Sequence, residues 1–398
     1  MLRSKAHHTE TAVHRLTIAG FVLAICIPCM AQIAGYNPEV PLQEGENLPL
    51  PGLSFDLQTL GQTVYSLRRN WLDRNFGIRK TLVRWQALLD VRFFGASMPS
   101  DPVLAGKNGW LYLAQENPSL NVISDYRVIA PLTPEQLAVW VKVFTSRRDW
   151  LAARGIRYMV VVAPNKASIY PEHIPERFNK ARDVSKLDQL CSALANADVD
   201  VLDLRPALME AKTNGKAYYS TDSHWTPFGA FFAYRATADQ LKRHFPSLEP
   251  LPGTDFAFSE RPGLKGGLSY MIALGDIYGE NEVMVTPKRP LKAREESGVR
   301  AELNHFQPLS TYSQADTSLP KAVVFRDSFL HEMMPFLAEH FSRIHLVWPY
   351  PTSSNKIRDF DRDAILREKP DIVIDEFVER YFTQPPPPSA LETLPPAP

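Results

Sequence analysis

Short apolar runs alternate with longer amphipathic ones along most of this chain. The short runs are Arg157 to Val162, Val199 to Leu204, Ala322 to Phe325, Ile344 to Trp348 and Ile372 to Ile374. Their length and β-branched content predict buried strands. Trp110 to Leu113 predicts another, after the turn at Ala105 to Gly109. Between them the spacing predicts helices. One runs over about 133–154, where Thr133 and Gln136 form a capping-box pair and Gly155 stops the helix. Others run over 186–197, 227–245 and 328–340. Leu67 to Phe94 also reads as helical, with a break near Gly77. Strands alternating with helices predict an α/β domain whose mostly parallel sheet is flanked by helices. Residues 250–320 are rich in Gly and Pro and are expected to be a loop-rich insertion. No internal repeat is visible.

The two ends depart from this pattern. Residues 1–15 carry Arg3, Lys5 and Arg15, and Leu16 to Ala34 is uncharged and mostly apolar. That length is near the roughly 20 residues that span a bilayer. Basic residues before the run and none directly after it expect residues 1–15 in the cytoplasm and the remainder outside. The run is apolar all round, without the stripe of a soluble helix. An uncleaved transmembrane signal-anchor over 16–35 is therefore expected. A cleaved signal peptide is the alternative, although Cys29-Met30-Ala31 makes a poor cleavage site. Residues 36–66 read as a stalk, 67–382 as the folded domain, and 383–398 as a disordered, Pro-rich tail.

Composition narrows the function classes. The chain has 398 residues, 44% of them hydrophobic and 22% charged, which suits a globular protein with a sizeable core. Lys plus Arg equals Asp plus Glu at 44 each, so bulk charge gives no argument for nucleic acid. Cys26 and Cys29 lie in the N-terminal apolar run, leaving Cys191 in the main body. No disulfide framework or thiolate metal site is available there.

Two segments carry chemistry. Asp222-Ser223-His224-Trp225 precedes a helix start, and Arg326-Asp327-Ser328-Phe329 follows the strand Ala322 to Phe325. A strand-to-helix turn exposes a nucleophile and aims the first helical N–H groups at it. A serine hydroxyl needs a base to take its proton, and the base needs a carboxylate to hold its tautomer. Ser328, His224 and Asp222 supply those three roles. A lone histidine is usually a core or capping group, but the neighbouring Asp222 and the helix start favour catalysis. Asp327 is read as a structural helix cap. Arg326 either pairs with Asp327 or lines the pocket. Trp225 is read as packing, with sugar or acyl contact as the alternative. Asn165 and Lys166 end a strand, where α/β sheets place ligands, so they either contribute to an oxyanion hole or close a turn. Tyr170 is a further candidate, more often a fold determinant. A metal site on Asp222 and His224 lacks a third ligand at tight spacing, so neither metal nor cofactor is expected.

Five segments in order resemble the alginate O-acetyltransferase family, the AlgJ/AlgX type of SGNH-hydrolase-like domain. They are Asn70 to Arg79, Gly106 to Tyr112, Pro164-Asn165-Lys166 with Ile169 to Glu172, Thr221 to Gly229, and Phe325 to Phe329. In this family Asp-x-His precedes the serine, the reverse of ordinary SGNH hydrolases, and this chain shares that order. The resemblance implies an SGNH-like fold and a periplasmic enzyme, tethered to the bacterial inner membrane, that moves acetyl groups onto hydroxyls of an exported polysaccharide. Acetyl-CoA does not cross the membrane, so a multi-spanning membrane acyltransferase is the expected acetyl donor. An acetylesterase using the same residues, or a non-catalytic scaffold, remains open at this point.

Overall fold

A computed structural model of the chain describes residues 2–34, 36, 40, 63–64, 67, 78–91, 102–117, 120–296, 310–349, 360–383 and 385. Most of the expected stalk, the segment Asn70 to Gly77 and the Pro-rich tail beyond residue 385 lie outside the described residues. The chain divides into two compact units: residues 1–97 with 269–278, and residues 98–268 with 279–398.

In the first unit, a helix runs from Leu2 to Ile33 with Pro28 inside it. Leu16, Ile18, Phe21, Val22, Leu23, Ile25 and Ile27 are exposed on it. Among the described residues, no helix is long and apolar enough to cross a membrane. Of the helix expected over 67–94, the stretch Arg79–Leu89 is observed. The Arg84 guanidinium forks onto the Asp276 carboxylate, 2.6 Å to each oxygen.

The second unit is the α/β domain. Its strands in chain order are β1 (Val103–Ala105), β2 (Leu111–Leu113), β3 (Gln115–Asn117), β4 (Leu120–Asn121), β5 (Arg157–Ala163) and β6 (Val201–Asp203). They continue with β7 (Phe256–Leu264), β8 (Glu280–Pro287), β9 (Arg294–Glu295) and β10 (Thr311–Ser313), then β11 (Lys321–Phe325), β12 (Arg343–Val347) and β13 (Ile372–Val378). A seven-stranded sheet has the order β6-β5-β13-β11-β12-β10-β9. Its first five strands are parallel, and β10 runs against both neighbours.

Parallel strands covered on both faces read as unbroken apolar runs, and period-2 alternation sends their side chains to opposite cores. Met159, Val161, Val324 and Ile374 face a core closed by the helices Arg205–Asn214, Pro227–Leu241 and Leu330–Leu337. Val160, Val162, Val323, Val373 and Phe377 face a second core under Pro134–Ala152, Lys186–Asn196 and Arg362–Glu368. Full burial of each such side chain contributes roughly 1.5–3 kcal/mol.

The helix boundaries follow local signals. Thr133 and Gln136 form the reciprocal capping box, and Gly155 adopts φ +70°, where a side chain is strained. Among the described residues of the range 250–320, the loop-rich expectation fails for 256–264 and 280–287, which are strands, while residues 297–309 lie outside the described ones. β7 and β8 pair there as a long antiparallel arm, which tolerates Pro262 and Gly263 because β7 is mostly solvent-exposed.

Candidate active site

Ser328 stands on the four-residue turn between β11 and the helix Leu330–Leu337, at the carboxyl ends of the parallel strands. Asp327, 1% exposed, builds this turn. Its Oδ1 accepts from the Phe329 amide at 2.9 Å and its Oδ2 from the Val378 amide at 2.6 Å. Its own amide donates to Glu376 Oε2 at 2.8 Å. The carboxylate therefore caps the turn and ties it to the end of β13.

Asp222 and His224 come from a closed loop. Tyr218 and Trp225 pair as an antiparallel bridge, and the Thr226 amide donates to the Ala217 carbonyl at 2.9 Å. The following helix starts where Thr226 Oγ1 accepts from the Gly229 amide at 3.1 Å, with Pro227 in its first turn, where no N–H is needed. Gly229 lies against Ala217: an added Cβ would sit 2.2 Å from its carbonyl oxygen.

This loop brings the three residues into one chain of hydrogen bonds. His224 Nε2 lies 2.8 Å from Ser328 Oγ, and His224 Nδ1 lies 2.7 Å from Asp222 Oδ1. The carboxylate accepts at Nδ1–H, which leaves Nε2 to accept the serine proton. Asp222 Oδ1 also takes the His224 amide at 3.0 Å, and Oδ2 takes the Gly267 amide at 2.6 Å. Burial pushes the Asp222 carboxyl up, but its bonds to His224 and the amides of Gly267 and His224 outweigh that and hold it well below the usual carboxylate range. The His224 side chain is 37% exposed, so the serine end is open to a substrate.

The remaining candidates fall in several places. Asn165 follows β5; its amide donates to Glu379 Oε2 at 2.8 Å, and its Oδ1 faces an Arg380 nitrogen at 3.4 Å. Lys166 turns away from the opening and under the Asp222 loop, where Nζ donates to the carbonyls of Tyr219, Ser220 and Asp222. Burial pushes its ammonium down to about 7, against the pull of the Asp222 and Glu280 carboxylates. Tyr170 is a joist beneath the same loop, its hydroxyl accepting from the Ala217 amide at 3.0 Å. Trp225 is 1% exposed and packs edge-on to Phe329 at 5.0 Å. Arg326 is buried, with its guanidinium 5.5 Å from the centre of the Trp348 ring.

Three contributors are not legible as site residues in the sequence. Gly267 supplies the amide on Asp222, Glu280 grips the loop amides, and Arg380 bonds Glu116 at 2.5 Å beside Asn165. The pair Gly266-Gly267 was the available signal, since an added Cβ on Gly266 would sit 2.3 Å from the Thr221 carbonyl. Among the described residues, no group of three or more His, Cys, Asp or Glu is arranged to hold a metal ion.

Comparison with known proteins bears on this geometry. Residues 103–296 match the family model of the SGNH hydrolase-like domain, acetyltransferase AlgX. The match takes in three of the five motif segments, Gly106 to Tyr112, Pro164 to Glu172 and Thr221 to Gly229, in line with the resemblance to alginate O-acetyltransferases. The chain is 30% identical over 237 residues to the probable alginate O-acetylase AlgJ of Pseudomonas aeruginosa, covering 58% of this chain and 56% of that protein. It is 25% identical over 278 residues to its counterpart in Azotobacter vinelandii, covering 69% of this chain and 64% of that protein. It therefore spans less than two thirds of the length of either relative. Bacillus cereus PatB1 shares the fold, with a TM-score of 0.50 at 15% identity over 72% of this chain and 98% of PatB1.

Proposed function

We propose that this chain is an O-acetyltransferase that moves acetyl groups onto hydroxyls of an exported polysaccharide through an acetyl-Ser328 intermediate. The observation that carries the reading is the unbroken Asp222–His224–Ser328 hydrogen-bond chain, whose Asp222 and His224 lie in the stretch 103–296 that matches an acetyltransferase family. His224 Nε2 takes the Ser328 proton as Oγ attacks the acetyl carbonyl carbon. The resulting imidazolium, balanced by Asp222, gives that proton to the departing donor oxygen. An acceptor hydroxyl then passes its proton to His224 and attacks acetyl-Ser328, and Ser328 recovers a proton as it leaves. The Ser328 amide donates to no protein acceptor among the described residues, which suits it to the developing oxyanion. Asn165, at the end of β5 two strands away from β11, is the second donor in this reading through its side-chain amide, because its backbone amide is taken by Glu379.

The acceptor is an alginate-like or other exopolysaccharide, as the names of the relatives suggest. The donor is a multi-spanning membrane acyltransferase that carries acetyl across the bilayer. The chain is held at the outer face of a bacterial inner membrane by its N-terminal helix. Support for that anchor is the uncharged run Leu16 to Ala34 and the exposed apolar side chains on the helix. The side chains of Cys29 and Gln32 in that run lie outside the described ones.

The test is acetyl transfer from a chromogenic acetyl ester to a short uronate or glucan oligomer, read by mass spectrometry of the oligomer. Acetylated product that disappears in Ser328→Ala is expected. Free acetate with no acetylated oligomer would make the protein an esterase. Undiminished transfer by folded Ser328→Ala would remove the acetyl-serine step, and neither transfer nor acetate release by folded wild type would leave a scaffold.

A further inference from the structure

Two buried charged side chains outside the triad grip the segment that carries Asp222. The Lys166 ammonium, on a residue 4% exposed, donates to the carbonyls of Tyr219 at 3.0 Å, Ser220 at 3.1 Å and Asp222 at 2.5 Å. Three N–H groups meet three carbonyls, so none remains for a substrate. From the other side, the Glu280 carboxylate accepts from the amides of Ser220 at 2.9 Å and Thr221 at 2.7 Å. It also accepts from the hydroxyls of Ser220 at 3.0 Å and Thr221 at 2.5 Å. Lys216 balances its charge at 2.5 Å.

A cation on the carbonyls and an anion on the amides of the same peptides polarise them in one direction, so the two grips reinforce each other. The Lys166 ammonium is further enclosed by the rings of Trp110 and Tyr112, at 5.7 and 5.2 Å from their centres. The hairpin bearing those rings is fastened to the loop, because the Leu111 amide donates to the Ser220 carbonyl at 2.8 Å. Burying a charge is costly unless its hydrogen bonds are complete. Here Lys166 completes its bonds on the backbone of the segment that carries Asp222, and Glu280 meets the amides and hydroxyls of the same segment together with Lys216.

We propose that Lys166 and Glu280 are positioning residues for catalysis: together they clamp Tyr219–Asp222 so that Asp222 keeps His224 aligned on Ser328. This rests on the acyl-transfer reading of the triad. Loss of the clamp lets the Asp222 carboxylate drift, and misplacement of about 1 Å costs on the order of a hundredfold in rate. Neither residue touches the substrate, so KM stays unchanged.

The experiment compares wild type, Lys166→Met and Glu280→Gln in two assays, on protein whose folded fraction is set by circular dichroism. The first assay is steady-state hydrolysis of a chromogenic acetyl ester. The second is labelling of Ser328 by phenylmethanesulfonyl fluoride, in which Oγ bonds to sulfur, fluoride leaves and the serine proton passes to His224. For Lys166→Met, kcat and the labelling rate constant are expected to fall about 10- to 100-fold, with KM within about twofold of wild type. Glu280→Gln, which keeps one carbonyl acceptor, falls less and serves as the test if Lys166→Met does not fold. Wild-type labelling rates in folded variants, or losses confined to thermal stability, would overturn the proposal. Because labelling reads the clamp without acetyl chemistry, a wild type that labels in a His224-dependent way yet transfers no acetyl overturns the proposed function and leaves this test in force. Absence of His224-dependent labelling in wild type overturns both.

Discussion

At the scale of single residues, the aspartates of the two motif segments, Asp222 and Asp327, do different work. Asp222 bonds the His224 ring, whereas Asp327 bonds two backbone amides and no ring. His224→Ala and Ser328→Ala should therefore reduce acetyl transfer about equally, because members of such a unit fail together. Asp222→Asn should retain somewhat more activity, since the base survives in a poorer tautomer. Equal losses of kcat in Asp222→Asn and Asp327→Asn, both folded, would show that the turn carboxylate also acts in the chemistry. Asp327→Asn is expected instead to lose about 1–3 kcal/mol of stability in urea unfolding, because one amide loses its acceptor.

A second residue-scale case concerns pH. His340 is 4% exposed, and burial pushes it down to about 4. Its Nε2 lies 2.6 Å from the Tyr234 hydroxyl, which itself accepts from the Leu251 amide. The hydroxyl hydrogen thus points at a neutral imidazole. Between about pH 4 and the unfolded value near 6.5, the unfolded chain binds more protons, so stability rises with pH in that window and is lost as pH falls through it. The full contribution is about 3 kcal/mol. Urea unfolding at pH 7 and pH 4.5 should show a shallower loss in His340→Gln than in wild type. Parallel losses in the two proteins would refute the assignment.

At the scale of elements, the start of the helix Pro227–Leu241 sets where His224 points. Thr226→Ala removes the cap and should cost about 1 kcal/mol. Glycine to alanine near a helix start usually stabilises by up to about 1 kcal/mol. Gly229→Ala should do the opposite, because its Cβ would fall 2.2 Å from the Ala217 carbonyl at the base of the catalytic loop. Calorimetry gives the sign directly, and a raised Tm would mean the loop yields without strain. The strand and helix signals were legible here because they are local: capping residues, β-branched runs and stop glycines act within one turn. The β7–β8 arm was not, because its pairing spans a 15-residue connection carrying its own short helix, and exposed strands with Pro and Gly resemble loops.

At the scale of the whole molecule, the expected placement is testable in cells. Protease added to intact spheroplasts should remove most of the chain if residues 1–15 are cytoplasmic and the remainder is outside. Full protection of the α/β domain would reject export. A shortened, membrane-free mature protein would point to signal cleavage instead of an anchor.

By itself the sequence determined the period-2 and helical runs, hence the α/β class, and the residue types able to do serine acyl chemistry. Tertiary structure decided which of them meet. Asp222 and His224 are two residues apart, and only the closed loop between Tyr218 and Trp225 turns both toward a serine 104 positions away. Lys166 and Asn165 read alike beside β5, yet one side chain goes beneath the catalytic loop and the other faces Arg380. Glu280 carries no local signal and Gly267 only that of a glycine pair, because their partners lie 59 and 45 residues away on another segment. Periodicity reports which face of an element is buried. It does not report where a polar side chain finds its partner, since that depends on contacts between distant segments that no local pattern encodes.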